Sequence, residues 1–100
     1  MPTLKMATAH ALGQEEAVRR LKEKFSVVRE TYRGQVSDLH EEWHENTLSF
    51  GFKAVGMKVF GTVAVGAAEV QLHAQLPLAA IVIKGLIERQ IRAELGSLLT

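Results

Sequence analysis

Leu76 to Leu99 constrains this chain more than any other stretch. It opens with Leu-Pro-Leu-Ala-Ala-Ile-Val-Ile, eight residues without a polar side chain, and continues as Lys84-Gly-Leu-Ile-Glu-Arg-Gln-Ile-Arg-Ala-Glu-Leu95. The spacing predicts a helix from Pro77, an imino acid tolerated in a first helical turn. Its best apolar stripe is Ala80, Ile83, Ile87, Ile91, Leu95 and Leu98. One stripe accounts for only about half of the apolar surface present. Leu76, Leu78, Ala79, Val82 and Leu86 fall outside it. These five must meet a second surface: more of this chain, a second copy, or something outside the protein. They form the candidate interaction patch, because a large exposed apolar patch usually marks a partner.

The rest of the chain reads as a folded α+β domain spanning residues 1–100. Hydrophobic residues make up 47% and charged residues 23%, a balance that excludes a disordered polymer. The net charge is +1 with both signs interspersed, which argues against nucleic acid as a partner. With no cysteine there is no disulfide framework and no thiolate chemistry. The first residues lack the charged start and apolar stretch of a signal peptide. No run reaches the roughly 20 apolar residues that span a bilayer. The expected location is cytoplasmic.

Thr3 to Thr8 alternates as a strand. Val18, Leu21, Phe25, Val28 and Tyr32 then recur at spacings of three and four, the mark of one helix face, with Gly34 as its stop. Leu39, Glu41 and Trp43 begin a series of strands. Turns are expected at Glu45-Asn46, with Asn46 at positive φ, and at Val55-Gly56 and Gly66-Ala67-Ala68. Phe50, Phe52, Val63 and Leu72 face inward; His40, Glu42, His44, Ser49, Lys53, Lys58, Thr62, Gln71, His73 and Gln75 face water. The expected architecture is β-α-β-β-β-β-α: one antiparallel meander of four to five strands with two helices on one face.

Few residues carry chemistry. His40, Glu42 and His44 share a strand face and are legitimate metal ligands. The two histidines would stand about 13 Å apart on a regular strand. A hydrated sheet face explains them better, although His73 could pair with one. Glu41 points inward, and a buried carboxylate needs a partner; the expectation is a sheet-edge position reaching solvent or a basic helix residue. Glycines at 51, 56, 61 and 66 lack the Gly-Lys-Ser/Thr ending of a phosphate loop and read as turns and as close approaches between sheet and helix. Arg19, Arg20, Lys22, Lys24 and Arg29 are neutralised locally by Glu15, Glu16, Glu23 and Glu30. No set of acid, base and nucleophile is present, so no catalytic residue, metal site or cofactor is expected.

His10-Ala-Leu-Gly13-Gln-Glu-Glu16-Ala-Val-Arg-Arg-Leu21 resembles the opening of the putative polyhydroxyalkanoic acid system family, also called polyhydroxyalkanoate granule-region proteins. Trp43-His-Glu-Asn-Thr-Leu-Ser-Phe50 is similar to that family's hairpin. Phe52-Lys-Ala-Val-Gly56-Met-Lys-Val-Phe-Gly61-Thr-Val-Ala-Val65 is similar to its central signature, and Leu76-Pro-Leu-Ala-Ala with Lys84-Gly-Leu-Ile-Glu to its terminal helix. The gap between Tyr32 and Trp43 is wider than in the family and predicts a loop or bulge. The resemblance implies a bacterial accessory protein associated with, or regulating, polyester storage granules, with a granule surface or granule protein as partner. It carries no catalytic residues. The alternative is a small apolar-ligand module in which a helix grips a curved sheet around a pocket lined by Phe50, Phe52, Met57 and Ile83. Self-association through the sheet edges or the apolar helix start fits either reading.

Overall fold

The computed structural model describes residues 3–54 and 56–100. Val55, half of an expected turn, lies outside them. Five strands and two helices follow one another as β1 (Thr3–Ala9), α1 (Gln14–Thr31), β2 (Val36–His44), β3 (Thr47–Ala54), β4 (Met57–Val65), β5 (Glu69–Gln75) and α2 (Lys84–Leu98), with a 3₁₀ segment at Leu78–Ile83. Every pairing is antiparallel, and the spatial order is β1-β5-β4-β3-β2. The α+β architecture expected from the alternation is therefore present, with β1 joined to the far side of the meander.

Helix length explains how β1 and β2 reach opposite edges. The 18 residues of α1 extend about 27 Å at the helical rise. Four strand spacings amount to about 19 Å, so one helix crosses the whole sheet. Gly13 turns the chain into α1 at φ 84, a left-handed backbone that suits glycine. Glu15 and Glu16 occupy the first turn, where the helix dipole favours negative charge.

One face of the sheet is covered and the other is wet. Leu4, Met6, Leu48, Val63, Val65, Val70, Leu72 and Ala74 form the buried floor, roofed by Ala17 and Leu21 of α1 with Leu76, Ala80 and Leu99. α1 packs on β4, and its Phe25 ring meets Phe50 of β3 at 6.4 Å between centroids; α2 packs on β1. The opposite face carries His40, Glu42, His44, Ser49, Lys53, Lys58, Thr62, Gln71 and His73, all exposed, as strict alternation requires.

Several local expectations are corrected. Tyr32 leaves the helical stripe because α1 ends at Thr31, where the Tyr32 N–H donates to the Val28 carbonyl; the tyrosine is exposed. In the β2–β3 turn Glu45 takes the positive φ, 58°, rather than Asn46. The Asn46 carbonyl is instead committed to the ladder, accepting from Val65 N–H at 2.9 Å. The anticipated irregularity before Trp43 is a bulge between Ser37 and His40, with Asp38 at φ 53.

The terminal helix is broken. Pro77 is extended (φ −66, ψ 155), so the turns begin at Leu78 and run as 3₁₀ to Ile83. Ile83, at φ −112 and ψ 8, then separates them from α2. Ile81, Val82 and Ile83 are consecutive β-branched residues, whose stiff side chains crowd an α-helical turn. The break shifts the stripe, leaving Ile83 exposed where continuous helical spacing would bury it.

Candidate functional site

The broken helix start builds the main exposed apolar surface among the described residues. Val82 is 86% exposed, Leu78 73% and Leu86 64%, and Ala79, Ile81 and Ile83 are exposed as well. No charged side chain interrupts positions 78–83. Leu76 does not belong to this surface: it is 2% exposed and sits in the core. The reason is strand parity, since Leu76 continues the inward series Val70, Leu72, Ala74 before Pro77 turns the chain away. Ile81 and Ile83 were hidden from sequence reasoning, which placed Ile83 on the buried stripe. A three-residue period after Pro77 would have put Leu78 and Ile81 in one row.

The other candidates are engaged elsewhere. Glu41 lies on the edge strand β2 and pairs with Arg29 of α1, as its inward position on an edge required. The ammonium of Lys22 stands 5.2 Å above the Trp43 ring. His40 covers Gly51, where an added Cβ would lie 2.5 Å from the imidazole. His73 cannot join His40 or His44, because β4 and β3 intervene and three strand spacings are about 14 Å. The glycine close approaches are also not between sheet and helix: Gly51 meets His40, and Gly61 meets the backbone of β5.

Of the four residues expected to line a ligand pocket, Phe50 and Ile83 are placed otherwise. Phe25 packs on Phe50, and Ile83 faces outward. Two clefts lie on the helical side. One, of about 370 Å³, is lined by Arg20, Lys24, Val27, Glu94, Ser97 and Leu98 between the two helices. It is crossed by a Lys24–Glu94 ion pair of 2.8 Å. Arg20 reaches past it to donate to the Leu98 and Thr100 carbonyls at 3.1 and 2.8 Å, closing the C-terminal end of α2.

Glu16 is strongly perturbed. It accepts from Arg19 through both oxygens, at 2.9 and 2.7 Å, and from Arg20 at 2.8 Å. These bonds, Arg19 first, hold its carboxyl at about 2 instead of 4.5 and raise the Arg19 guanidinium above its ordinary value. A depressed carboxylate stabilises the fold above its unfolded value, and that contribution disappears as pH falls through the folded one. Thermal unfolding followed from pH 7 to 2 is therefore expected to show a Glu16-dependent loss concentrated between 4.5 and about 2. Glu16→Gln should start lower at neutral pH and be flatter across that window. Parallel curves for the two proteins would refute the assignment.

His10 lies in the family-like segment, where the spacing of residues reveals no role for it. It is buried, and its ring closes a polar junction. Leu12 N–H donates to Nδ1 at 3.2 Å, so Nε2 carries the proton and donates to the Gly66 carbonyl at 3.1 Å. Its backbone N–H donates to Ala68 at 2.9 Å. The exit of β1 is thereby fastened to the β4–β5 turn.

A family model described as "Putative polyhydroxyalkanoic acid system protein" matches residues 4–99. No curated protein and no solved structure matches the chain. No described helix is long and apolar enough to cross a membrane.

Proposed function

Since the chain belongs to the putative polyhydroxyalkanoic acid system family, we propose that it is a non-enzymatic accessory protein of that system that docks on the apolar surface of a polyester storage granule. The observation that carries this reading is the exposure of Leu78, Ile81, Val82 and Ile83 along an uncharged stretch, with Leu86 exposed just beyond Lys84. Each such side chain contributes roughly 1.5–3 kcal/mol when fully buried. Five together come to about 7.5–15 kcal/mol at full burial, the same order as the roughly 4–15 kcal/mol lost in freedom on association, so adsorption requires most of the patch to be covered. A polyester surface needs no shaped pocket, only apolar contact, which these exposed side chains offer. The non-enzymatic part of the reading is supported by the commitments of the titratable groups: both His10 nitrogens are bonded, Glu41 is neutralised by Arg29, and Glu16 by two arginines.

Val82→Glu tests it. Val82 makes no core contact, so the variant should keep its thermal midpoint, while burial of a carboxylate against polyester is strongly unfavourable. Co-sedimentation with isolated granules should fall about tenfold or more. Leu78→Glu should do the same. Unchanged sedimentation of both folded variants would refute granule docking, as would a wild-type dimer that both substitutions dissolve without affecting granules.

A further inference from the structure

The two edges of the sheet are unequal. β2 is defended in the way edge strands usually are. It carries the Ser37–His40 bulge, a left-handed residue at Asp38, and charged or ionisable side chains at Glu42, His40 and His44. β1 has neither a bulge nor a left-handed residue. From Thr3 to Ala9 it contains no bulge, no proline and one charge, Lys5, and it is paired with β5 alone.

The phase of its free hydrogen-bonding groups follows from the junctions at the strand ends. His10 N–H donates to Ala68, its register partner, so the bonded pairs of β1 with β5 are Thr8–Val70, Met6–Leu72 and Leu4–Ala74. The other side of β5 agrees: Gly66 N–H donates to Glu69, which assigns Gln71, His73 and Gln75 to β4 and leaves Val70, Leu72 and Ala74 for β1. Thr3, Lys5, Ala7 and Ala9 therefore direct their N–H and C=O groups outward from the edge.

We infer that β1 pairs antiparallel with β1 of a second copy of this chain, about a two-fold axis at Met6. That register places Lys5 opposite the partner's Ala7, and Thr3 opposite the partner's Ala9. Both are outward-directed pairs, so each exchanges two hydrogen bonds, about eight bonds in all. It is the register that uses the whole strand, and it keeps the two lysines from facing each other; an axis at Lys5 would oppose like charges. The two sheets become one ten-stranded sheet, with both helical layers on the same face. The occupant is a second copy rather than a foreign strand because the match is self-complementary in length and bonding phase and sets no like charges opposite each other.

Light scattering over a range of concentrations should give twice 11.0 kDa for the wild type. Ala7→Pro is the decisive variant. Ala7 is exposed and its N–H is not used within the chain, so proline removes only an outward donor and obstructs the new ladder. It should fold with a similar circular dichroism spectrum and give a mass of one chain. Ala7→Lys sets a lysine against Lys5 of the partner subunit twice over; association should weaken about tenfold and recover in high salt. A wild type that is monomeric at every concentration overturns the inference. So does a dimer that survives both substitutions, or one that only Val82→Glu dissolves. A folded monomer that instead captures added peptide strands at this edge overturns it as well.

Discussion

Gly61→Ala is expected to lose about 3 kcal/mol of stability, the upper end of overpacking costs, and to lower the thermal midpoint by roughly 12–24 °C. Gly61 sits in β4 between Phe50 of β3 and Ala74 of β5. A Cβ built there lies well inside van der Waals contact of the His73 carbonyl oxygen and 2.8 Å from Ala74 Cα. Both obstacles are backbone, so no rotamer change relieves them; β4 and β5 must separate. These two strands carry most of the buried floor, including Val63, Val65, Val70, Leu72 and Ala74. The control is the same chemical change in open space. Gly96 lies in α2 with nothing within 4 Å of its added Cβ, and alanine there should gain about 0.5–1 kcal/mol from helix propensity. Calorimetry of both variants reads opposite signs if the account is right. A Gly61→Ala protein melting within a few degrees of the wild type would show that the strands yield freely.

His10→Phe is expected to cost about 2–3 kcal/mol, from leaving the Leu12 N–H and the Gly66 carbonyl without partners. At roughly 4–8 °C per kcal/mol for a domain of this size, the midpoint falls by about 8–24 °C. Phenylalanine preserves the aromatic volume, so the loss isolates the two hydrogen bonds. His10→Gln, which offers both an acceptor and donors, should recover part of it. Because the junction fastens β1 to the β4–β5 turn, hydrogen exchange should rise first in Thr3–Ala9 and Gly66–Val70. A midpoint within 2 °C of the wild type would mean that water satisfies these groups equally well.

Much of this was legible in the residues. Strict alternation from Leu48 to Leu76 specified strands and their faces, because side chains in a strand alternate by geometry and an error of one residue would bury lysines. Glu41 was readable as an edge acid seeking a base, since an inward carboxylate has few other solutions, and Arg29 supplies it. The surplus of apolar residues after Leu76 was likewise a matter of counting. The route of the chain through that segment was not legible. Helical periodicity assumes a constant 100° per residue, and the 3₁₀ turns from Leu78 to Ile83 break it. Ile83 therefore went to the wrong side, and Leu76, still obeying the parity of β5, was assigned to a surface it does not reach.

The sequence by itself determined that this chain forms an antiparallel sheet with one wet face, two helices and more apolar surface than those helices bury. Local periodicity and residue chemistry suffice for that. Only the tertiary structure decided that β1 lies beside β5, that its free edge directs Thr3, Lys5, Ala7 and Ala9 outward, and that Gly61 and His10 hold the β4–β5 region together. Those facts depend on groups distant in sequence, 56 positions apart for His10 and Gly66, meeting at distances of a few ångströms. Nothing in the spacing of neighbours along a chain encodes such a meeting, because it is set by the twist of the whole sheet and by what the packed core leaves room for.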